Sequence, residues 1–143
     1  MGTIRSHRDL EAWQVAMDLA AATYRLTDSF PAKEVYGLQS QMRRAAVSAP
    51  SNIAEGQARP PGAAVNHLSI ALGSLAELDT QLEVSIRLRY LTEEGVKDFR
   101  RLLESTGRLT SGLRRAKRLQ LGGTVARSAG AFLLVFFTLS QIV

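Results

Sequence analysis

Cysteine is missing altogether, which removes disulfides and thiolate chemistry from consideration. Histidine is nearly as scarce: His7 and His67 stand far apart and neither falls in a metal-ligand spacing. No Glu-x-x-His pair of the kind a di-metal bundle needs is present. β-Branched residues are sparse and period-two alternation is absent outside the tail, so nothing argues for strands. The start, MGTIRSHRDLEAW, carries no apolar h-region, and a cytoplasmic location is the expectation. A phosphate loop is also missing, since ALGSLAEL has neither the lysine nor a preceding strand. Glu77, Asp79 and Glu83 have no histidine within a helical turn. The chain is therefore expected to be no enzyme and to carry no cofactor or metal.

What is present is helical periodicity. At 143 residues and 45% hydrophobic content the chain has the size of one domain and can bury about two-thirds of its unfolded surface. Four segments repeat apolar residues at spacings of three and four. Residues 8–29 carry Leu10, Trp13, Met17, Ala20 and Tyr24 as a seam, widened by Leu19 and Leu26; Trp13 and Tyr24 read as core on this pattern. Residues 35–56 carry Leu38, Met42, Ala45, Ala49 and Ile53. Residues 64–90 carry Leu68, Leu72, Leu75, Leu78, Leu82 and Ile86. Residues 93–119 carry Val96, Phe99, Leu103, Thr106, Leu109 and Leu113, with Thr92 as cap and Glu93 and Glu94 in the first turn. The joints FPAKE, ARPPGA and YLTEE are short. The fold class expected is all-α, an antiparallel up-down-up-down four-helix bundle over residues 1–120.

Two stretches need more than periodicity. In VSAPSNIAEG the apolar stripe continues across Pro50, so one helix kinked at Pro50 and ended by Gly56 is preferred over two helices with Asn52 as a new cap. Ser48, Ser51 and Asn52 are placed to satisfy backbone groups the proline frees. In ALGSLAEL the small residues Ala71, Gly73, Ser74 and Ala76 serve either packing inside the bundle or a subunit contact. Gly73 costs about 1 kcal/mol relative to alanine and so needs a packing reason.

The net charge of +5 is concentrated at one end: residues 100–143 hold eight basic groups and one acidic group. At about 100° per residue, Arg101, Arg108 and Arg115 fall within roughly 40° of Lys97, with Arg100 and Arg118 near −60°. Leucines and Phe99 occupy the far side. A basic stripe interrupted only by Glu104 suits phosphate, which arginine binds bidentately. The competing reading is a face kept soluble by arginine. Arg43 and Arg44 are adjacent, so at most one points toward the seam; Arg44 is matched to Glu55 or Glu77 as an interhelical salt bridge. Residues 121–143 form a second segment, an apolar C-terminal tail hinged at Gly122–Gly123 and ending in sixteen uncharged residues from Ser128. Sixteen residues span about 24 Å as helix, short of the roughly 30 Å membrane core. A tail packed on an oligomer, a marginal membrane anchor and an accidental extension all remain open.

The run EVYGLQSQMRRAAVSAPSNIAEGQAR, with DLEAWQVAMDLAAATYRLTDSFP before it and LSIALGSLAELDTQLEVSIRLRYL after it, closely resembles the bacterial four helix bundle protein family. That family includes the proteins encoded in intervening sequences of large-subunit (23S) ribosomal RNA and is related to the accessory variability proteins of diversity-generating retroelements. The most specific residues are Gly37-Leu38 to Gln41, Arg43-Arg44-Ala45 to Ser48, Asn52 to Gly56, and Leu72 to Leu78. The resemblance covers about residues 10–119. It implies a homopentameric ring, no catalytic activity, binding of RNA or DNA, and a protein partner such as a reverse transcriptase. ARPPGAAVNHL departs from the more basic or aromatic joint of the family, and residues beyond Leu119 leave its pattern. On this reading the nucleic-acid-binding residues are Arg100, Arg101, Arg108, Arg115, Arg118, Arg43 and Arg44, and the ligand is a structured RNA or RNA–protein complex. The alternative is a structural or protein-interaction module.

Overall fold

The computed structural model describes the backbone of residues 5–139 and side-chain surroundings as far as residue 123. Within that span the chain is all-helical, with α1 Glu11–Thr27, α2 Leu38–Gln57, α3 Pro61–Arg87 and α4 Lys97–Leu139. Short 3-10 turns at His7–Asp9 and Ala32–Glu34 precede α1 and α2. Each helix packs on its sequence neighbour, and α1 packs on α4. Contacts between neighbours run in opposite order. Met42, Ser48 and Asn52 of α2 meet Ser85, Ser74 and His67 of α3. Arg100 and Arg114 of α4 meet Glu83 and Ser69 of α3.

Three of the four apolar stripes lie where periodicity puts them. Met42, Ala45, Ala49 and Ile53 are buried, as are Leu68, Leu75, Leu78 and Leu82, and Val96, Phe99, Leu103 and Thr106. The first helix differs. Met17 and Tyr24 are 43% and 45% exposed, while Ala12, Ala16, Leu19, Ala20, Thr23 and Thr27 face the core. The seam is turned by one residue, roughly 100°, toward smaller side chains. Small residues let helices approach closely. The buried threonines lose nothing, because Thr23 Oγ1 donates to Leu19 O and Thr27 Oγ1 to Thr23 O, each at 2.8 Å. Trp13 is half-buried, packed between the small cluster of Leu10, Ala16, Ile53 and Leu68 and the ring of His7.

α2 runs through Pro50, which is buried inside it. Proline leaves the carbonyl four residues back without its usual donor. The neighbouring carbonyls gain side-chain donors: Ser51 Oγ to Val47 O at 2.8 Å and Asn52 Nδ2 to Ser48 O at 3.0 Å. Gly56 does not end the helix. The cap is Ala58, with Gly56 buried two residues before it, still inside the helix, and no described glycine has a positive φ. Gly56 is instead a crossing point, since a Cβ there would lie 3.3 Å from both Ala64 O and His67 Cβ. Gly73 gives the opposite result. A Cβ there would meet nothing within 4 Å, so no packing inside the chain requires it. Ala71 and Ser74 are buried against the bundle, whereas Gly73 and Ala76 point outward.

Helix boundaries shift for local reasons. α3 begins at Pro61, because a proline in the first turn has no N–H to lose. Thr92 caps a turn at residues 93–96 rather than α4 itself: its Oγ1 accepts from Gly95 N at 3.1 Å, and α4 begins at Lys97. α4 is helical across Gly122–Gly123. The readings of the tail as packed segment, anchor or extension concern side chains outside the described residues. Among the described residues, no helix is long and apolar enough to cross a membrane.

Glu34 ties the joints together. Its Oε2 accepts from Leu38 N at 2.9 Å, capping α2, and its Oε1 accepts from Tyr90 Oη at 2.9 Å. A Cβ on Gly37 would sit 2.6 Å from that Oε2, so glycine keeps the cap open. The Leu38 amide first, and then the Tyr90 hydroxyl, hold the Glu34 carboxyl below its usual value. A depressed folded value means the stabilisation is complete above the unfolded value and is lost as pH falls through the folded one. Glu34→Gln is therefore expected to lower Tm at pH 7, with the gap to wild type closing as pH is taken below about 4. Thermal melts from pH 7 to 3 check this; a gap independent of pH would show that the carboxylate charge does not hold the joint.

Candidate nucleic-acid interface

Six of the seven arginines singled out in the sequence fall into three structural groups, and Arg44 stands apart. Arg43 and Arg100 are half-buried and engaged inside the bundle. Arg43 pairs with Asp28 at 2.7 Å, donates to Thr27 Oγ1 at 2.9 Å and lies 4.6 Å from the ring centre of Tyr24. This is why Tyr24 is outside the core: it covers an arginine that braces α1 against α2. Arg100 bridges Glu83 at 2.6 Å and Glu93 at 3.2 Å. The Glu83 carboxylate beside it keeps its guanidinium protonated beyond its ordinary range.

The second group lies at the start of α4. Lys97 pairs with Glu94 at 2.6 Å, and Arg101 pairs with Asp98. Both pairs are exposed, and such pairs are worth about 0–1 kcal/mol. Asp98 and Glu94 sit where a helix start favours negative charge. The first turns of the stripe are thus neutralised locally, which counting along α4 alone had left as an interruption by Glu104 only.

The third group is free of carboxylates. Arg108, Arg115 and Arg118 are exposed, and Arg108 makes only a 3.3 Å contact to Ser105 Oγ. No carboxylate pairs with any of them among the described residues. Glu104 is the last acidic residue of the chain, with Arg108, Arg114, Arg115, Lys117, Arg118 and Arg127 after it. Arg108 and Arg115 lie seven residues apart, about 10 Å along the axis. Half-buried Arg114 reaches back to Ser69 Oγ at 3.3 Å. An exposed positive surface therefore runs along the middle of α4, after Glu104.

A family model described as 23S rRNA-intervening sequence protein matches residues 8–112. The chain belongs to this family. The match spans all of α1, α2 and α3 and α4 as far as Gly112. Comparison with curated proteins found no match. The family match ends between Arg108 and Arg115, so Arg115 and Arg118 lie beyond the part this chain shares with the family.

Arg44 stands apart on α2. Neither expected partner reaches it: Glu55 lies 3.4 Å from His67 Nδ1, and Glu77 accepts from Gln81 Nε2 at 2.9 Å. Arg44 is exposed and has no partner among the described residues, and it lines a groove with Tyr24, Val35 and Val47. Sequence reasoning missed this groove because Tyr24 reads as seam and Val47 lies off the apolar stripe of residues 35–56. Among the described residues, no group of three or more acidic or histidine side chains gathers as a metal site would require.

Proposed function

We propose that this protein is a non-enzymatic, oligomeric helical bundle that binds nucleic acid, its ligand being a structured RNA or an RNA–protein complex in the cytoplasm. The scaffold is an antiparallel up-down-up-down bundle, which the reversed order of paired residues on neighbouring helices supports. One observation carries the binding reading: Arg108, Arg115 and Arg118 are exposed on one helix without a carboxylate partner, in a stretch that contains no acid after Glu104. Each phosphate that such a cation neutralises releases counterions and adds about 0.7–0.9 to the slope of log K against log salt. Arg43 and Arg100 contribute indirectly, by fixing helix positions.

Filter binding against structured RNA, single-stranded RNA and duplex DNA, each across a salt series, tests the proposal. Expected is tight binding at low salt that weakens steeply, with structured RNA retained longest. No binding even at low salt would overturn it and leave the second reading, a protein-interaction module. That reading draws on the open groove of Tyr24, Val35 and Val47 and includes a reverse transcriptase as partner.

A further inference from the structure

α4 outruns the bundle it belongs to. Its neighbour α3 begins at Pro61, and Leu121 reaches that first turn, with its Cδ2 3.7 Å from the position a Cβ on Gly62 would take. α4 itself continues to Leu139. The residues after Leu121 have no turn of α3 beside them, and as helix they carry the chain roughly 27 Å further. The family match stops at residue 112, so this extension lies outside the shared part of the chain.

Two compositions follow one another along α4. Past Glu104 come Arg108, Arg114, Arg115, Lys117, Arg118 and Arg127, with no acid among them. Arg115 and Arg118 are exposed and have no carboxylate partner among the described residues. From Ser128 there follow sixteen residues without a charge, and residues 131–137 read AFLLVFF. Seven consecutive apolar positions at about 100° each leave no direction around the helix axis polar. The four bundle stripes are different, since each leaves a polar face. A helix apolar on one face is covered by one neighbour, whereas a helix apolar all round has to be enclosed. The bundle of the same chain does not enclose this one, because α3 offers no turn beyond Pro61. A second copy of the tail laid alongside covers one side only. Lipid encloses it on every side, and the cations just before it complement anionic headgroups.

We propose that residues 128–143 insert into an anionic lipid bilayer and tether the bundle to its surface, with Arg127 at the headgroups and Arg115 and Arg118 held over them. As helix the uncharged run is about 24 Å long and reaches through most of the roughly 30 Å hydrocarbon core. Arg127 marks the boundary, where a long cationic side chain keeps its stem in the apolar layer and its charge at the phosphates. Insertion goes beyond the nucleic-acid reading and does not depend on it. The two meet at Arg115 and Arg118, for which lipid phosphate and RNA phosphate compete.

Flotation of the full chain with vesicles tests it. Vesicles of phosphatidylcholine mixed equally with phosphatidylglycerol are expected to carry the chain upward and to keep it through a high-salt wash, because the inserted run makes no charge contact. Leu134→Glu with Phe137→Glu is expected to reduce that salt-resistant capture by about 100-fold or more. Helical circular dichroism and RNA binding should be unchanged in this variant, since neither residue belongs to the bundle or to the basic surface. Arg115→Glu with Arg118→Glu is expected to weaken capture by the mixed vesicles to the level of phosphatidylcholine alone. Independently, Val135→Cys, in a chain that has no other cysteine, carries a polarity-sensitive dye that should shift to the blue on the mixed vesicles and be quenched by brominated acyl chains. Capture that vanishes in high salt, with no quenching, would overturn insertion and leave only adsorption by arginine. No capture by either vesicle would overturn the tether outright. A mass by light scattering above the 15.6 kDa of one chain that falls in the tail variant would then identify a second copy as what covers the run.

Discussion

Replacing Arg108, Arg115 and Arg118 together with glutamate is expected to weaken RNA binding by about 100-fold or more, equivalent to about 3 kcal/mol, and to reduce the salt slope by about two to three. The reasoning is electrostatic and local. These side chains are exposed, none has a carboxylate partner among the described residues, and the chain carries no acid after Glu104. Reversal therefore removes favourable phosphate contacts and adds repulsion without breaking an internal ion pair. Helical content should not change, since these residues are solvent-facing. The same reversal at Arg100 would behave differently, because it would set a carboxylate against Glu83 and Glu93 and lower stability. Filter binding across salt, with circular dichroism and light scattering alongside, separates the cases. Binding by the triple variant equal to wild type would place any nucleic-acid contact elsewhere.

Gly56→Val is expected to destabilise the bundle by about 3 kcal/mol, at the upper end for overpacking a tight site. Its Cβ alone would stand 3.3 Å from Ala64 O and His67 Cβ and 3.5 Å from Leu68 Cγ. The first of these is backbone at the start of α3 and cannot swing aside, so α2 and α3 must separate where they cross. Valine's gain over glycine in helix propensity, a few tenths of a kcal/mol, is too small to offset that. Gly112→Ala is the control. A Cβ there meets nothing within 4 Å, so alanine should raise stability by about 1 kcal/mol through helix propensity. Thermal melts of both variants read the contrast; a neutral Gly56→Val would mean that the α2–α3 crossing yields.

The division of the arginines shows where one-dimensional reading stopped. Angular counting along α4 sets Arg101, Arg108 and Arg115 away from the apolar stripe, and all three are exposed, because a helix's own geometry sets that face. It gave no view of Glu83, seventeen residues before Arg100, or of Asp28, fifteen before Arg43. Those pairings depend on which helices are neighbours and at what height. Arg44 illustrates the same limit in reverse: Glu55 and Glu77 were near enough in pattern to be partners, yet each is engaged elsewhere.

Helix number, helix type, three of the four buried stripes and the passage of α2 through Pro50 were determined by the sequence alone, since a period of three and four residues identifies the face that must leave water. The face of α1 was decided by packing. Hydrophobicity ranks Met17 and Tyr24 above Thr23 and Thr27, but close approach of helices favours the small side chains, and a hydroxyl bonded to the carbonyl four residues back is no longer polar toward the core. The glycines divide in the same way. The sequence reads Gly56 as a helix end and Gly73 as a packing position; in the fold Gly56 lies against the backbone of α3 and Gly73 opens on space, because the crossing of two helices, and not the local chain, sets what surrounds each Cα.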